Sequence, residues 1–221
     1  GYEIIEDENA DFVIFNTCTV RDNANQRVYG RLGELKGFKR RNPKMKIALC
    51  GCMMQEPSVI EKIKKSYPYI DMVFGTQVFH RLPEFIYKRL TGSKRIFEQE
   101  LLNEDIVEDI PVKRDGTFKG WLPIMYGCNN FCTYCIVPFV RGRERSRAPE
   151  DILQEVKSLI AEGYKEITLL GQNVDSYGSD RNDGWDFARL IDEIGTISGK
   201  FRLRFMTSHP RDCTKELLDV M

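Results

Sequence analysis

Residues 126–147 read YGCNNFCTYCIVPFVRGRERSR, and the rest of the chain is best understood from this stretch. Cys128, Cys132 and Cys135 stand in Cys-x3-Cys-x2-Cys spacing. A loop this short can turn three sulfurs toward one centre, as thiolate ligation of a metal cluster requires. Three ligands are one fewer than an ordinary 4Fe–4S cluster or a closed zinc site takes. A cubane held by three thiolates leaves one iron open to a small molecule. The stretch therefore predicts a reactive centre.

On either side of this loop the chain alternates strand and helix. Trp121 to Tyr126 reads as a strand running straight into the cysteines. Pro149 suits a first helical position, and Glu150 and Asp151 follow it where the helix dipole favours acids. Ile152, Val156, Leu159 and Ile160 form that helix's buried stripe, and Gly163 ends it. Glu166 to Leu170 is the next strand, closed by Gly171, Gln172 and Asn173. A helix with Phe187, Leu190, Ile191 and Ile194 inward follows, then a strand through Phe201, Leu203 and Phe205, and a last helix. These β-α units suggest a barrel-like parallel sheet, too few to close one, which takes about eight strands.

The N-terminal half shows the same alternation. Residues 11–16, DFVIFN, predict a strand ending at Thr17-Cys18. Asp22 or Asn23 caps a helix whose stripe is Ala24, Val28, Leu32 and Leu35, stopped at Asn42-Pro43. Lys46 to Cys50 and Ile70 to Phe74 are further strands, and two more helices are marked by Val59, Ile60 and Ile63 and by Leu82, Phe85, Ile86 and Leu90. This order predicts an open parallel sheet covered on both faces. The fold class is α/β, with an open-sheet domain over 1–97, an acidic linker over 98–118 and a partial barrel over 119–221. The boundary rests on composition: six of the twelve residues from Glu98 to Asp109 are acidic.

Cys18 follows the first strand and Cys52 the second. Ligands in open parallel sheets sit just beyond the carboxyl ends of the strands, so neighbouring strands would put both sulfurs on one rim. Small buried thiols are also common in cores, and the residues alone leave both readings open. Cys50, inside its strand, reads as structural. Seven cysteines without an export signal indicate a reducing compartment and metal or redox chemistry, not a disulfide framework.

Thirty-three basic residues balance thirty-three acidic ones, so net charge gives no support to a nucleic-acid partner. No apolar run approaches the ~18 residues of a membrane span. Neither a phosphate-cradling GxxxxGK[ST] motif nor GxGxxG is present, which argues against an NTPase or a nicotinamide enzyme. The basic run Lys36, Lys39, Arg40, Arg41, Lys44 and Lys46 predicts a solvated helix end.

Four segments together carry a resemblance: NTCTVRDNA (16–24), CGCMMQE (50–56), GCNNFCTYCIVPFVRGRERSRAPEDI (127–152) and LLGQNVDSYG (169–178). In this order they resemble the methylthiotransferases of the radical S-adenosylmethionine (SAM) superfamily. The arginine in Thr19-Val20-Arg21 looks most like the MiaB-type tRNA enzymes, and the resemblance covers essentially the whole chain. It implies a transferase that converts N6-isopentenyladenosine beside the tRNA anticodon to its 2-methylthio derivative. The chemistry implied uses a 5′-deoxyadenosyl radical made from SAM.

Carried over by motif, Cys128, Cys132 and Cys135 would hold the SAM-binding 4Fe–4S cluster. Cys18 and Cys52 match two of the three ligands of an auxiliary 4Fe–4S cluster. The third lies upstream of the point matching Gly1, and the family continues past Met221 into the rest of the barrel and an RNA-binding domain. The resemblance thus implies a fragment, inactive by itself on tRNA. Tyr134 corresponds to an aromatic beside the SAM adenine. Gly171, Gln172, Asn173 and Ser208 follow predicted strands where SAM contacts are expected. Arg141, Arg143, Arg145 and Arg147 alternate; such a run is usually a solvated face, yet beside a cluster loop an arginine, Arg141 foremost, can pair with the SAM carboxylate or an RNA phosphate. A flavodoxin or ferredoxin as electron donor, a monomer and a cytoplasmic location complete the expectation. Related enzymes that methylthiolate an aspartate of a ribosomal protein are the alternative within the family. A zinc-dependent RNA-binding module is the alternative outside it, and it needs a fourth ligand, although His80 and His209 lie far from the triplet.

Overall fold

The computed structural model describes residues 2–6, 10–20, 22–92, 94–98, 106–108, 110, 112–114, 116 and 118–221. Arg21, on which the likeness to tRNA enzymes partly rests, falls outside them, as do much of the acidic linker and the side chains of the candidate cap Asp22 and of Ala24. The chain forms two compact units, residues 1–104 with 134–140, and residues 105–133 with 141–221.

The first unit is built on β1 (Phe12–Thr17), α1 (Asp22–Arg41), β2 (Lys46–Gly51), α2 (Pro57–Ser66), β3 (Met72–Phe74), α3 (Leu82–Leu90) and β4 (Ile96–Glu98). The strands are parallel in the order β1-β2-β3-β4. Side chains of β2 alternate between faces, as a strand's period of two requires. Ile47 and Leu49 join Leu32 and Leu35 of α1 and Ile60 and Ile63 of α2 in one core. Ala48 and Cys50 join Met72, Phe74 and Phe85 of α3 in the other. The sheet is thus covered on both faces, as expected. β4 is an addition: its three residues are too few for a period to be read.

Lys39 departs from the expected solvated helix end. Its Nζ lies 2.7 Å from Oδ2 of buried Asp71, whose other oxygen meets Arg89 at 2.8 Å, and the Ile47 N–H donates to the same carboxylate at 2.9 Å. A buried carboxylate at the start of β3 needs such partners.

Burial pushes the Cys50 thiol from 9.0 up to about 12. The folded thiol therefore stays neutral where the unfolded one ionises. The stability linked to it is complete below about pH 9 and is lost as pH rises toward 12. Denaturant unfolding at about pH 7.5 and about pH 10.5 should show this alkaline loss, and Cys50→Ala should reduce it. An identical loss in the variant would contradict the assignment.

The second unit continues with β5 (Lys119–Pro123), β6 (Met125–Tyr126), α4 (Val137–Arg141, of which only Arg141 belongs to this unit), β7 (Arg145–Ser146), α5 (Pro149–Ala161), β8 (Glu166–Leu170), α6 (Phe187–Gly195), β9 (Arg202–Phe205) and α7 (Lys215–Val220). β5, β8 and β9 form a parallel sheet in that order. Ile152, Val156 and Leu159 of α5 and Leu190, Ile191 and Ile194 of α6 meet Leu122, Ile167 and Leu169 of the sheet in one core.

The single strand expected over Trp121 to Tyr126 is two. β5 pairs with β8, whereas β6 pairs antiparallel with β7. The break falls at Ile124, whose N–H donates to Leu170 O at 2.8 Å and whose carbonyl accepts from Arg147 N at 2.9 Å. The chain leaves one sheet there and enters the other, a switch of partner that apolar alternation does not reveal.

Candidate iron–sulfur and SAM site

β6 and β7 close the base of the cysteine loop in the second unit, with Met125 opposite Ser146 and Tyr126 opposite Arg145. Just inside, the Cys128 N–H donates to Gly142 O at 3.2 Å. Gly127 takes φ +78°, and a Cβ there would lie 1.9 Å from Arg143 O, so only glycine fits the approach. Cys128 is buried and Cys132 half-buried. Cys135, also half-buried, lies in the 134–140 stretch that groups with the first unit, as does Tyr134, whose ring is 94% exposed. Among the described residues no three Cys, His, Asp or Glu side chains are gathered as a metal ion would need.

The carboxyl ends of β8 and β9 form a polar rim in the same unit. Asn173 is buried, and its Nδ2 donates to Asp212 Oδ2 at 2.7 Å. Asp175 is buried too and accepts from the His209 N–H at 3.1 Å. Thr207, beside Ser208, donates its hydroxyl to Gly171 O at 2.7 Å, and Val174 N–H returns a bond to Thr207 O at 3.1 Å. Three buried acceptor oxygens here have no hydrogen-bond partner: Gln172 Oε1, Asn173 Oδ1 and Asp175 Oδ1. Orphaned acceptors are costly when buried, so a cluster of them suits a ligand bearing N–H and O–H donors. The ammonium, the adenine amine and the ribose hydroxyls of SAM are such donors. Ser208 itself is exposed on this rim.

The four alternating arginines have different surroundings. Arg147 is buried against Glu108 and Glu155, which corrects the solvated-face reading at that position. Arg143 lies over the Phe131 ring at 4.6 Å. The carbonyl of half-buried Arg141 accepts from Arg145 Nη2 at 3.3 Å. Sequence reading passed over Glu144, Asp175, Arg211 and Asp212. The Arg211 side chain donates to Asn130 Oδ1, between Cys128 and Cys132, and to Asp212 at 3.0 Å. No spacing rule links Asn130 to Arg211, eighty-one residues on.

In the first unit Thr17 pairs with Gly51 across β1 and β2, so Cys18 and Cys52 each follow one member of a paired couple. They leave neighbouring strands at the same end of the sheet. Cys18 is exposed, and Cys52 opens a buried turn, Cys52–Gln55. Gly51 at φ +101° lets the strands close there, since a Cβ would lie 2.2 Å from Thr17 O.

A parallel β/α unit with a Cys-x3-Cys-x2-Cys loop beyond its first strand defines a radical SAM protein. Residues 122–221 match the radical SAM superfamily, and residues 1–75 match "Uncharacterized protein family UPF0004". The chain is 53% identical over 221 residues to a protein of Lachnoclostridium phytofermentans named tRNA-2-methylthio-N(6)-dimethylallyladenosine synthase, covering 100% of this chain and 48% of the relative. Proteins of the same name from Clostridium tetani (53% over 219 residues, 99% and 48%) and a Thermoanaerobacter species (50% over 222 residues, 100% and 47%) are similarly close. The chain spans about half the length of the curated relatives it matches. It belongs to the MiaB-type methylthiotransferase family of the radical SAM superfamily.

Proposed function

We propose that this protein methylthiolates C2 of N6-isopentenyladenosine next to the anticodon of tRNA. The observation that carries the reading is identity of about one residue in two along the whole chain to relatives named for that product. All four motif segments lie within the matched span. Residues 1–97 are assigned to the auxiliary-cluster domain, 98–118 to a linker and 119–221 to the radical SAM core.

Cys128, Cys132 and Cys135 would hold a 4Fe–4S cluster, which supplies the electron for reductive cleavage of SAM. Cys18 and Cys52 would hold an auxiliary cluster together with a third ligand from outside these residues. Around these groups the chain's own work is binding and orientation. Gln172 and Asn173 offer acceptors to SAM donors, Gly171 lets the strand end pack closely on Met125 beside them, and Arg141 is assigned to the SAM carboxylate. Tyr134, with Ser208 on the rim, is assigned to the adenine side. A small redox protein such as a flavodoxin or ferredoxin would donate the electron to a monomeric enzyme in the cytoplasm. Among the described residues no helix is long and apolar enough to cross a membrane.

The test is product analysis. tRNA carrying N6-isopentenyladenosine, incubated with the full-length protein, SAM and reductant, should yield the 2-methylthio nucleoside on digestion and mass spectrometry. Modification of a ribosomal-protein aspartate with untouched tRNA would overturn the reading in favour of the alternative substrate.

A further inference from the structure

Glu144 is the least expected residue of the cysteine loop. Its side chain is buried, with the residue 6% exposed. Both oxygens accept two hydrogen bonds. Oε1 takes them from the Asn129 N–H and the Ser176 hydroxyl, each at 3.0 Å. Oε2 takes them from Asn129 Nδ2 at 3.4 Å and the Ser179 hydroxyl at 3.0 Å. Asn129 closes the exchange by accepting from the Glu144 N–H at 3.3 Å. Asn129 immediately follows Cys128, and Ser176 and Ser179 lie in the loop that leaves the polar rim beyond β8. One carboxylate therefore joins the cysteine loop to the SAM-facing strand end.

A fold does not require a carboxylate for that join. The same two segments are already fastened further along. The Ser146 N–H and hydroxyl donate to Asp180 at 2.9 and 2.6 Å, and the Gly178 N–H donates to the Ser146 hydroxyl at 2.9 Å. β6 and β7 close the hairpin base independently. Burying an acid is expensive unless its lone pairs are filled, and here the expense falls at the cysteine end of the hairpin. A tether placed there controls where the first thiol sits relative to the rim. Asn130, the next residue, is held from the other side by Arg211.

We infer that Glu144 is a positioning residue, which through Asn129, Ser176 and Ser179 sets the spacing between the Cys128–Cys132 loop and the SAM-binding rim beyond β8. The inference rests on the radical SAM reading of the loop but not on tRNA as the substrate.

The test uses the anaerobically reconstituted protein and four variants: Glu144→Gln, Glu144→Ala, Ser179→Ala and the double variant Ser176→Ala with Ser179→Ala. Iron content, thermal midpoint, SAM dissociation constant and the electron paramagnetic resonance (EPR) signal of the reduced cluster with SAM are read for each. The double variant leaves the Asn129–Glu144 exchange intact and cuts the tie to the rim. Ser179→Ala alone, which spares the Ser176 hydroxyl's second bond to Asn173 O at 2.9 Å, separates the loss of that tie from any change at Asn173. The double variant should keep its iron, bind SAM about tenfold more weakly and show a smaller SAM-induced EPR change. Glu144→Ala should bind SAM at least as weakly, and Glu144→Gln, which retains an acceptor of the same reach, should recover part of the affinity. A structural role alone would lower the thermal midpoint and leave the SAM affinity of the folded protein unchanged. Wild-type affinity and EPR response in the double variant would overturn the inference. Should the radical SAM reading fail, the unmodified protein would already lack a SAM-dependent signal, so the two failures are distinguishable.

Discussion

Alanine at any one of Cys128, Cys132 or Cys135 is expected to abolish SAM cleavage. The argument is one of ligand count. A cubane bound by three thiolates has no protein ligand to spare, because the fourth iron is the one left for SAM. Removing a thiolate leaves two, and neither His80 nor His209 stands near the loop in sequence to replace it. The expected readings are loss of cluster iron and 5′-deoxyadenosine formation at background. Cys50→Ala is the control, since its thiol lies inside β2 among Met72, Phe74 and Phe85, and it should retain wild-type iron. Cleavage retained in any of the three triplet variants would refute their role as ligands.

The second large effect is on stability. Arg147→Ala is expected to destabilise the second unit by about 3 kcal/mol, at the low end of the cost of breaking a buried ion pair. Arg147 makes a forked contact with Glu108, Nε to Oε1 at 2.8 Å and Nη2 to Oε2 at 2.6 Å. Its Nη1 reaches Glu155 Oε2 at 2.9 Å and donates to Pro123 O at 2.7 Å. Burial pulls the guanidinium pKa down, but the bond and charge of Glu108, with the charge of Glu155, more than offset this and raise it. Truncation strands the Glu108 carboxylate and the Pro123 carbonyl and leaves Glu155 with Arg114 as its remaining cation. Glu108 and Glu155 keep some access to water, which is why the low end applies. Denaturant unfolding monitored through Trp121 and Trp185 measures the loss. A change below about 1 kcal/mol would show that the network is no stronger than a surface pair.

Much of this architecture was readable because it is local. The stripe of α1 and the alternation of β2 are periods of one segment, and the bounds of β1, β2 and α3 fall within a residue or two of those expected. The thiol triplet stands out in the sequence for the same reason, as spacing within one loop, and its role as a cluster site is the proposal tested below. Polar contacts between distant residues were not. Arg147 looks like its exposed neighbours until Glu108 and Glu155 are placed beside it, and Lys39 looks solvated until Asp71 is. The partner switch at Ile124 depends on which strand lies alongside, and Trp121 to Tyr126 does not contain that information. Glu144 had no signal at all, since its donors come from residues 129, 176 and 179, which no period connects.

The central claim is an iron left open for SAM by three thiolates. Its most direct test is EPR of the anaerobically reconstituted, reduced protein with and without SAM. A 4Fe–4S signal whose g-values shift on adding SAM is the predicted result, because SAM then binds at the cluster itself. A signal indifferent to SAM would contradict it by showing a fully ligated cluster or a site unable to bind SAM. Bound zinc in place of iron would point instead to the binding-module alternative.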